Sequence, residues 1–184
     1  MTLAEAPAVQ PESFTVRVRE VIRRLAYQME KEILPAGDRA ALRRESQGPA
    51  FWKIAVRDLE PNGLLAGGEE REESLRRWAA ILAIVARAPE LQTNGRRLGT
   101  ALAEADIVEA RVLRLAQAAG ETLRRTARAV AQQLASLGQR VDWSDFAELI
   151  LSDERPWAED VRHRICLDFY RSTDRAARDS KKES

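Results

Sequence analysis

The residues best able to do chemistry in this chain are its arginines. Of the 30 basic residues 26 are Arg, and five adjacent Arg–Arg pairs occur. A planar guanidinium group bonds phosphate oxygens through two parallel N–H donors and also stacks on unpaired bases, which a lysine ammonium cannot do. A polyanion is therefore one candidate ligand. Solvated helix surfaces also carry many arginines, so composition alone leaves both interpretations open. The pairs stand at 23–24, 43–44, 76–77, 96–97 and 124–125.

Other reactive side chains are few. Cys166 is the only cysteine and His163 the only histidine, so an intrachain disulfide is excluded and neither residue has the neighbours that a metal or nucleophilic site needs. Asp142, Asp145 and Glu148 resemble a carboxylate cluster, but carboxylates at these positions suit the start of a helix. We therefore predict no catalytic residues, no metal and no cofactor.

The composition is that of a folded protein, and its basic and acidic residues are concentrated in different segments of the chain. The chain has 184 residues, 45% hydrophobic and 32% charged, with a formal net charge of +1. Segments 13–57 and 96–128 are basic, whereas 60–73 and 142–160 are acidic. Such blocks indicate one face for a polyanion and another for protein or solvent. No apolar run reaches membrane-spanning length and no signal peptide is apparent, so we expect a soluble, cytoplasmic protein without a membrane partner.

Helical periodicity dominates the chain, and few runs alternate with period two. Apolar residues recur every three or four positions from Phe14 to Met29, and a second long stripe runs from Leu123 to Leu137, where Gly138 can end it. We predict an all-α fold, a compact helical bundle of about eight helices or two small lobes. The expected divisions are a flexible N-terminal tail at 1–12, a helical domain at 13–173 with a candidate lobe boundary at 60–73, and a flexible C-terminal tail at 174–184.

Several helix ends are predicted from individual residues. The first helix should end near Leu34, before Pro35. Asp38 should cap a short helix from residue 39 to about 47. Asp106 and Glu109 have the spacing of a capping box that starts a helix at residue 107.

Five stretches, read in order, resemble successive blocks of one known family. That family is CasB, the small subunit of Cascade, the type I-E CRISPR surveillance complex. Each block is loose alone, but their order and spacing agree, and the resemblance covers most of residues 14–171. The blocks are LPAGDRAALRR at 34–44, PAFWKI at 49–54, GRRLGTALAEADIVEARVLRL at 95–115, LRRTARAVAQQLASLGQRVDW at 123–143 and VRHRICLDFYR at 161–171.

The resemblance implies an all-helical subunit without catalytic activity, present in two copies in the complex. It would contact the backbone subunits that carry the crRNA and the large subunit, and help to hold the displaced DNA strand of the R-loop. By position, the arginine pairs at 43–44 and 124–125 match the family's paired arginines, and Arg111 and Arg114 match basic residues of the central helix. Arg39 and Lys53 are weaker matches.

The chain also departs from the family pattern. A Gly-Arg-Ala-Leu motif is common where this chain has Gly99, Thr100, Ala101 and Leu102, so one basic position is missing. The pair at 96–97, about one turn earlier, is a candidate substitute. The predicted nucleic-acid contacts are therefore Arg39, Arg43, Arg44, Lys53, Arg96, Arg97, Arg111, Arg114, Arg124, Arg125 and Arg128.

We predict that the basic ridges at 39–44, 111–114 and 124–128 line one groove that follows a single strand through its phosphates. The default assignment of the pairs at 23–24 and 76–77 is to solvated helix faces. The alternative function is a helical protein–protein adaptor without direct nucleic-acid contact, whose arginines pair with carboxylates across interfaces. A helical nuclease is a further rival, and it would require convergent histidines or carboxylates in one cleft.

Overall fold

Nine α-helices make up most of residues 11–181, which are the residues that the computed structural model describes. A short π-helical segment, Ala55–Leu59, continues α3, and no strand occurs within 11–181, where one isolated bridge joins Gln92 to Val141. The all-α prediction is confirmed. The helices are α1 Pro11–Glu30, α2 Ala36–Arg43, α3 Pro49–Ile54, α4 Arg71–Val85, α5 Leu98–Glu104, α6 Glu109–Gln117, α7 Gly120–Ser136, α8 Ser144–Ser152 and α9 Ala158–Ser180.

Helices α4 and α8 form the centre of the protein. Every residue of α8 is buried, as are the residues of α4 from Arg77 to Val85. A helix that is buried all round must be enclosed by neighbours, and α1, α7 and α9 supply them by packing against α8. On α1 the predicted stripe is confirmed, with Val18, Val21, Leu25 and Met29 buried.

The core is continuous across the predicted lobe boundary at 60–73. One buried apolar cluster contains residues from both sides of it, including Leu59, Leu64 and Leu75. The indole N–H of Trp78 on α4 donates to the carbonyl of Leu64 at 2.8 Å, which fastens the segment to the core.

The two predicted tails lie partly outside the described residues, which exclude 1–10 and 182–184. Within them, α1 begins at Pro11, and α9 continues through residues 174–180, all exposed, where a loose tail was expected.

Three predicted helix ends are wrong. α1 ends at Glu30 rather than near Leu34. α2 begins at Ala36, so Asp38 lies in its first turn and makes no side-chain cap. Asp106 does not cap α6 but ends α5 in a left-handed conformation, φ 51°, and the amide of Ile107 bonds the carbonyl of Leu102 at 3.0 Å. Asp tolerates this conformation, so here it replaces the usual glycine.

Gly138 ends α7 as predicted. It has φ 65°, and the amide of the following Gln139 bonds back to the carbonyl of Leu134 at 2.9 Å. This pair of features is the glycine-ended helix terminus that the sequence indicated.

Candidate nucleic-acid interface

Helix α7 carries the arginines at 124, 125 and 128 and lies between α4 and α6. Its apolar stripe, including Leu123, Ala127, Val130 and Leu134, is buried. Successive residues on a helix are about 100° apart. Arg124 and Arg128 therefore flank one side of this buried stripe, while Arg125 points away from it into solvent.

The flank of α7 that faces α2 and α4 contains several ion pairs. Arg128 pairs with Glu45, two residues after the end of α2, and Arg124 pairs with Glu73 of α4. Arg43 donates to the carbonyls of Ala86 and Arg87, at 2.8 and 3.2 Å, where α4 ends. A cation beside the last carbonyls of a helix stabilises it. The ridges at 39–44 and 124–128 thus meet along α4.

The third ridge lies on the other flank of α7. Arg111 on α6 donates to the side-chain carbonyl of Gln133, which faces away from the Arg124 side of the helix. Arg114 follows one turn later on α6 and is exposed. The structure therefore places the three predicted ridges on α2, α7 and α6, with α7 in the middle.

Three of the predicted contacts are exposed arginines for which no partner exists among residues 11–181, and one stands on or beside each of these helices. They are Arg44 at the end of α2, Arg114 on α6 and Arg125 on α7. Their donors are available to a ligand without loss of an internal bond. We call the set of residues that surrounds them the α7 basic surface, which comprises Arg43, Arg44, Arg111, Arg114, Arg124, Arg125 and Arg128.

The predicted contacts outside the α7 basic surface each have a partner within the chain. Arg39 donates to the carbonyl of Met29 at 3.3 Å, and Lys53 pairs with Asp38 at 3.2 Å. Arg96 pairs with Glu104 at the end of α5.

Arg97 joins α5 to α8 and α9. Its Nε lies 3.3 Å from Asp168 and its Nη1 lies 3.9 Å from Asp145. The pair at 96–97 is thus part of an internal ion-pair network, and Thr100, at the position where the resemblance leads one to expect a basic residue, accepts a hydrogen bond from Ser172 at 3.2 Å.

The carboxylates expected at helix starts do more than cap. Burial raises the pKa of Asp142, but hydrogen bonds from Ser144, Gln92, Gly95 and Arg23 outweigh it, and the pKa is lowered overall. The Asp142 side chain accepts the amide of Ser144 at 3.2 Å at the start of α8 and the amide of Gly95 at 2.9 Å in the preceding loop. One carboxylate therefore holds α1, α8 and the 92–97 loop together.

Asp145 and Glu148 are also buried. Asp145 accepts the first amide of α5, that of Leu98, at 2.7 Å, so it caps a different helix from its own. Burial raises its pKa despite that bond. Glu148 lies 2.6 Å from Arg19 Nε and 2.5 Å from Arg164 Nη2. The structural interpretation of these acids is supported, and the distant arginines that pair with them had no signal in the sequence.

Three of the four arginines assigned to solvated helix faces hold buried groups. Arg23 pairs with buried Asp142, and Arg24 pairs with buried Asp58 at 3.0 Å. Arg77 is only 9% exposed. It donates to the carbonyl of Asp153 at 3.2 Å and to Glu154 at 2.6 Å. These three arginines do more than solvate helix faces, although Arg24, like Arg76, is exposed.

The described residues contain no group of three or more His, Cys, Asp or Glu arranged to hold a metal ion. Among the same residues, no helix has both the length and the apolar composition needed to cross a membrane.

The fold and the site together define an all-helical protein with a basic surface built around one exposed helix. The family model for the CRISPR-associated protein Cse2 matches residues 38–170. The chain belongs to this family, which is the small subunit of type I-E Cascade, so the resemblance to CasB is confirmed. No curated protein and no solved structure matches the chain.

Proposed function

We propose that this Cascade subunit holds the displaced DNA strand of the R-loop on the α7 basic surface, through phosphates and without sequence preference. The observation that carries the proposal is the position of Arg44, Arg114 and Arg125, which are exposed, have no side-chain partner among residues 11–181 and lie on three neighbouring elements. Guanidinium groups in this arrangement can follow a flexible strand through its phosphates, whose charge is independent of sequence.

The proposal assigns no catalysis to the chain. The buried carboxylates Asp58, Asp142, Asp145, Glu148 and Asp153 are engaged in hydrogen bonds and ion pairs, so the subunit contributes binding while other subunits of the complex contact the crRNA. Contacts with the crRNA-bearing backbone, with the large subunit and with a second copy of the chain belong to the same proposal. Incubation of the purified chain with labelled DNA and a divalent metal should leave the DNA intact.

A salt titration tests strand binding. The affinity of the purified chain for a labelled single strand should fall with a log–log slope of about −0.7 per neutralised phosphate. For about four to six contacts, that slope lies near −3 to −4. Changing Arg44, Arg114 and Arg125 together to Gln should reduce the magnitude of this salt slope by about 2.

The matched control removes three other exposed arginines that have no partner among the described residues and that the prediction does not assign to binding. These are Arg140, Arg171 and Arg175. Their change to Gln lowers the net charge equally. Equal loss of affinity in both triple variants, or a flat salt dependence of the unaltered chain, would contradict the proposal.

The adaptor function is the second candidate, because Arg43, Arg124 and Arg128 of the α7 basic surface already have partners inside the chain. R-loop retention by reconstituted Cascade distinguishes strand binding from the adaptor function. R-loop retention that is unchanged by the Arg44, Arg114 and Arg125 triple variant, with assembly intact, would favour the adaptor.

A further inference from the structure

A polar cleft lies where the end of α2 meets α4 and α7. It measures about 360 Å³, and three guanidinium groups line it, those of Arg76 on α4 and of Arg124 and Arg128 on α7, together with the side chains of Glu45, Gln47 and Glu121. Ala79, one turn after Arg76 on α4, also lines the cleft, and its small side chain leaves room between the arginines. Three cations that converge from two helices form a site that a single tetrahedral anion can bridge.

The hydrogen-bonding capacity of these arginines is only partly used. A guanidinium group has five N–H donors. Arg76 bonds Glu72 through Nη2, Arg124 bonds Glu73 through Nη1, and Arg128 bonds Glu45 through Nη1. The Nε of Arg128 is buried and has no acceptor. A buried donor without a partner is costly, and a phosphate oxygen in the cleft would provide one.

Carboxylates occupy the positions that such an anion would take. Glu45 is the second residue after the end of α2 and has φ 57°, a left-handed conformation that is unfavourable for a residue other than glycine. The Arg128 and Glu45 side chains are 39% and 22% exposed, and a partly exposed pair of this kind is weak. Glu45 therefore competes only weakly for Arg128.

From this geometry we infer that the cleft is a subsite for one phosphodiester of the bound strand, formed by Arg76, Arg124 and Arg128. Glu45 and Glu73 are competing anions that release the arginines when the phosphate binds. The inference rests on the proposed function and adds to it a binding residue, Arg76, and two residues that limit affinity.

Single substitutions test the subsite with a labelled oligothymidylate and the purified chain at constant ionic strength. Arg76→Gln should weaken binding about tenfold, because a charge-assisted bond to phosphate is lost. Its matched control is Arg71→Gln, since Arg71 is an exposed residue of the same helix outside the cleft. Glu45→Gln should strengthen binding about two- to fivefold, because the phosphate no longer displaces a carboxylate.

The control for the glutamate is Asp174→Asn, which breaks the Asp174–Arg178 pair on α9, where both side chains are 78% exposed. It removes one negative charge outside the cleft. If Glu45→Gln strengthens binding no more than this control does, the effect is one of net charge and the competing role is overturned. If Arg76→Gln and Arg71→Gln bind alike, the subsite is overturned, while a steep salt dependence of the unaltered chain still supports the proposed function. A chain that binds no strand overturns both.

Inorganic pyrophosphate distinguishes a strand phosphate from a free anion. At matched ionic strength, millimolar pyrophosphate should displace the strand only weakly, since one subsite is a small part of the strand's contacts. Complete displacement from the unaltered chain, but not from Arg76→Gln, would overturn the assignment to the strand and make the cleft a site for a free phosphate compound.

Discussion

Because α5 and α9 cross closely at Gly99, a single methyl group added there is predicted to destabilise the fold. A Cβ built on Gly99 would lie 2.2 Å from the carbonyl oxygen of Ile165 and 2.8 Å from the amide nitrogen of Phe169. Both are backbone atoms of α9, so no side-chain rotation can relieve the contact. The two helices would have to separate by roughly 1 Å to restore van der Waals distances.

The cost of Gly99→Ala can be worked from these contacts. Overpacking of a closed interface costs about 3 kcal/mol where backbone must move. Alanine recovers ~1 kcal/mol because it favours the helical conformation over glycine. The net destabilisation is about 2 kcal/mol, and for a protein of this size it lowers the unfolding midpoint by about 4 to 8 °C.

Thermal and urea unfolding followed by circular dichroism measure the change. The matched control is Gly37→Ala in α2, where an added Cβ meets nothing within 4 Å and φ is not in the left-handed region. That variant should be unchanged or more stable by up to ~1 kcal/mol. If Gly99→Ala behaves like Gly37→Ala, the close approach of α5 and α9 is not what determines this position.

Three further changes test individual contacts. Arg43→Ala should cost about 1 to 2 kcal/mol in urea unfolding, since it frees two carbonyls at the end of α4, whereas Arg44→Ala should leave stability unchanged. Arg77→Ala should destabilise by about 2 kcal/mol and Arg76→Ala by less than ~0.5 kcal/mol in the same measurement, because only the first leaves a buried group, the carbonyl of Asp153, without its donor; equal effects would contradict the assignment. For Asp142 the folded pKa is lowered, so its contribution is complete above the ordinary pKa of 3.8 and is lost as the pH falls below it. The stability difference between the unaltered chain and Asp142→Asn should therefore shrink in acid, and a difference that is constant with pH would refute this.

The helices could largely be predicted because their signals are local. The stripe from Val18 to Met29 and the end of α7 at Gly138 depend on residues within a few positions of each other, and both are confirmed. Asp38 and Asp106 were misread for the same reason. An aspartate near a helix end predicts a cap when only its neighbours in sequence are considered. In the structure Asp38 instead forms an ion pair with Lys53, and Asp106 lies in the turn between α5 and α6.

The long-range network could not be predicted, because nothing in the sequence pairs residues that are distant along it. Arg23 and Asp142 are 119 positions apart, yet they form one ion pair. Gly99 is similar. Its neighbours in sequence give no reason for a glycine within α5, and only the crossing with α9 shows one.

The same geometry explains why the five arginine pairs are not equivalent. Adjacent residues on a helix point about 100° apart, so one member of a pair can turn toward the protein while the other faces solvent. Arg77 is buried and Arg76 exposed, and Arg124, with 12% of its side chain exposed, precedes exposed Arg125. At 76–77 and 124–125 the pair therefore combines a residue packed against the protein with one that faces solvent, whereas both members of the 23–24 pair hold buried carboxylates. Double Arg124,Arg125→Ala substitution mixes these two effects, and Arg125→Gln alone separates strand binding from stability.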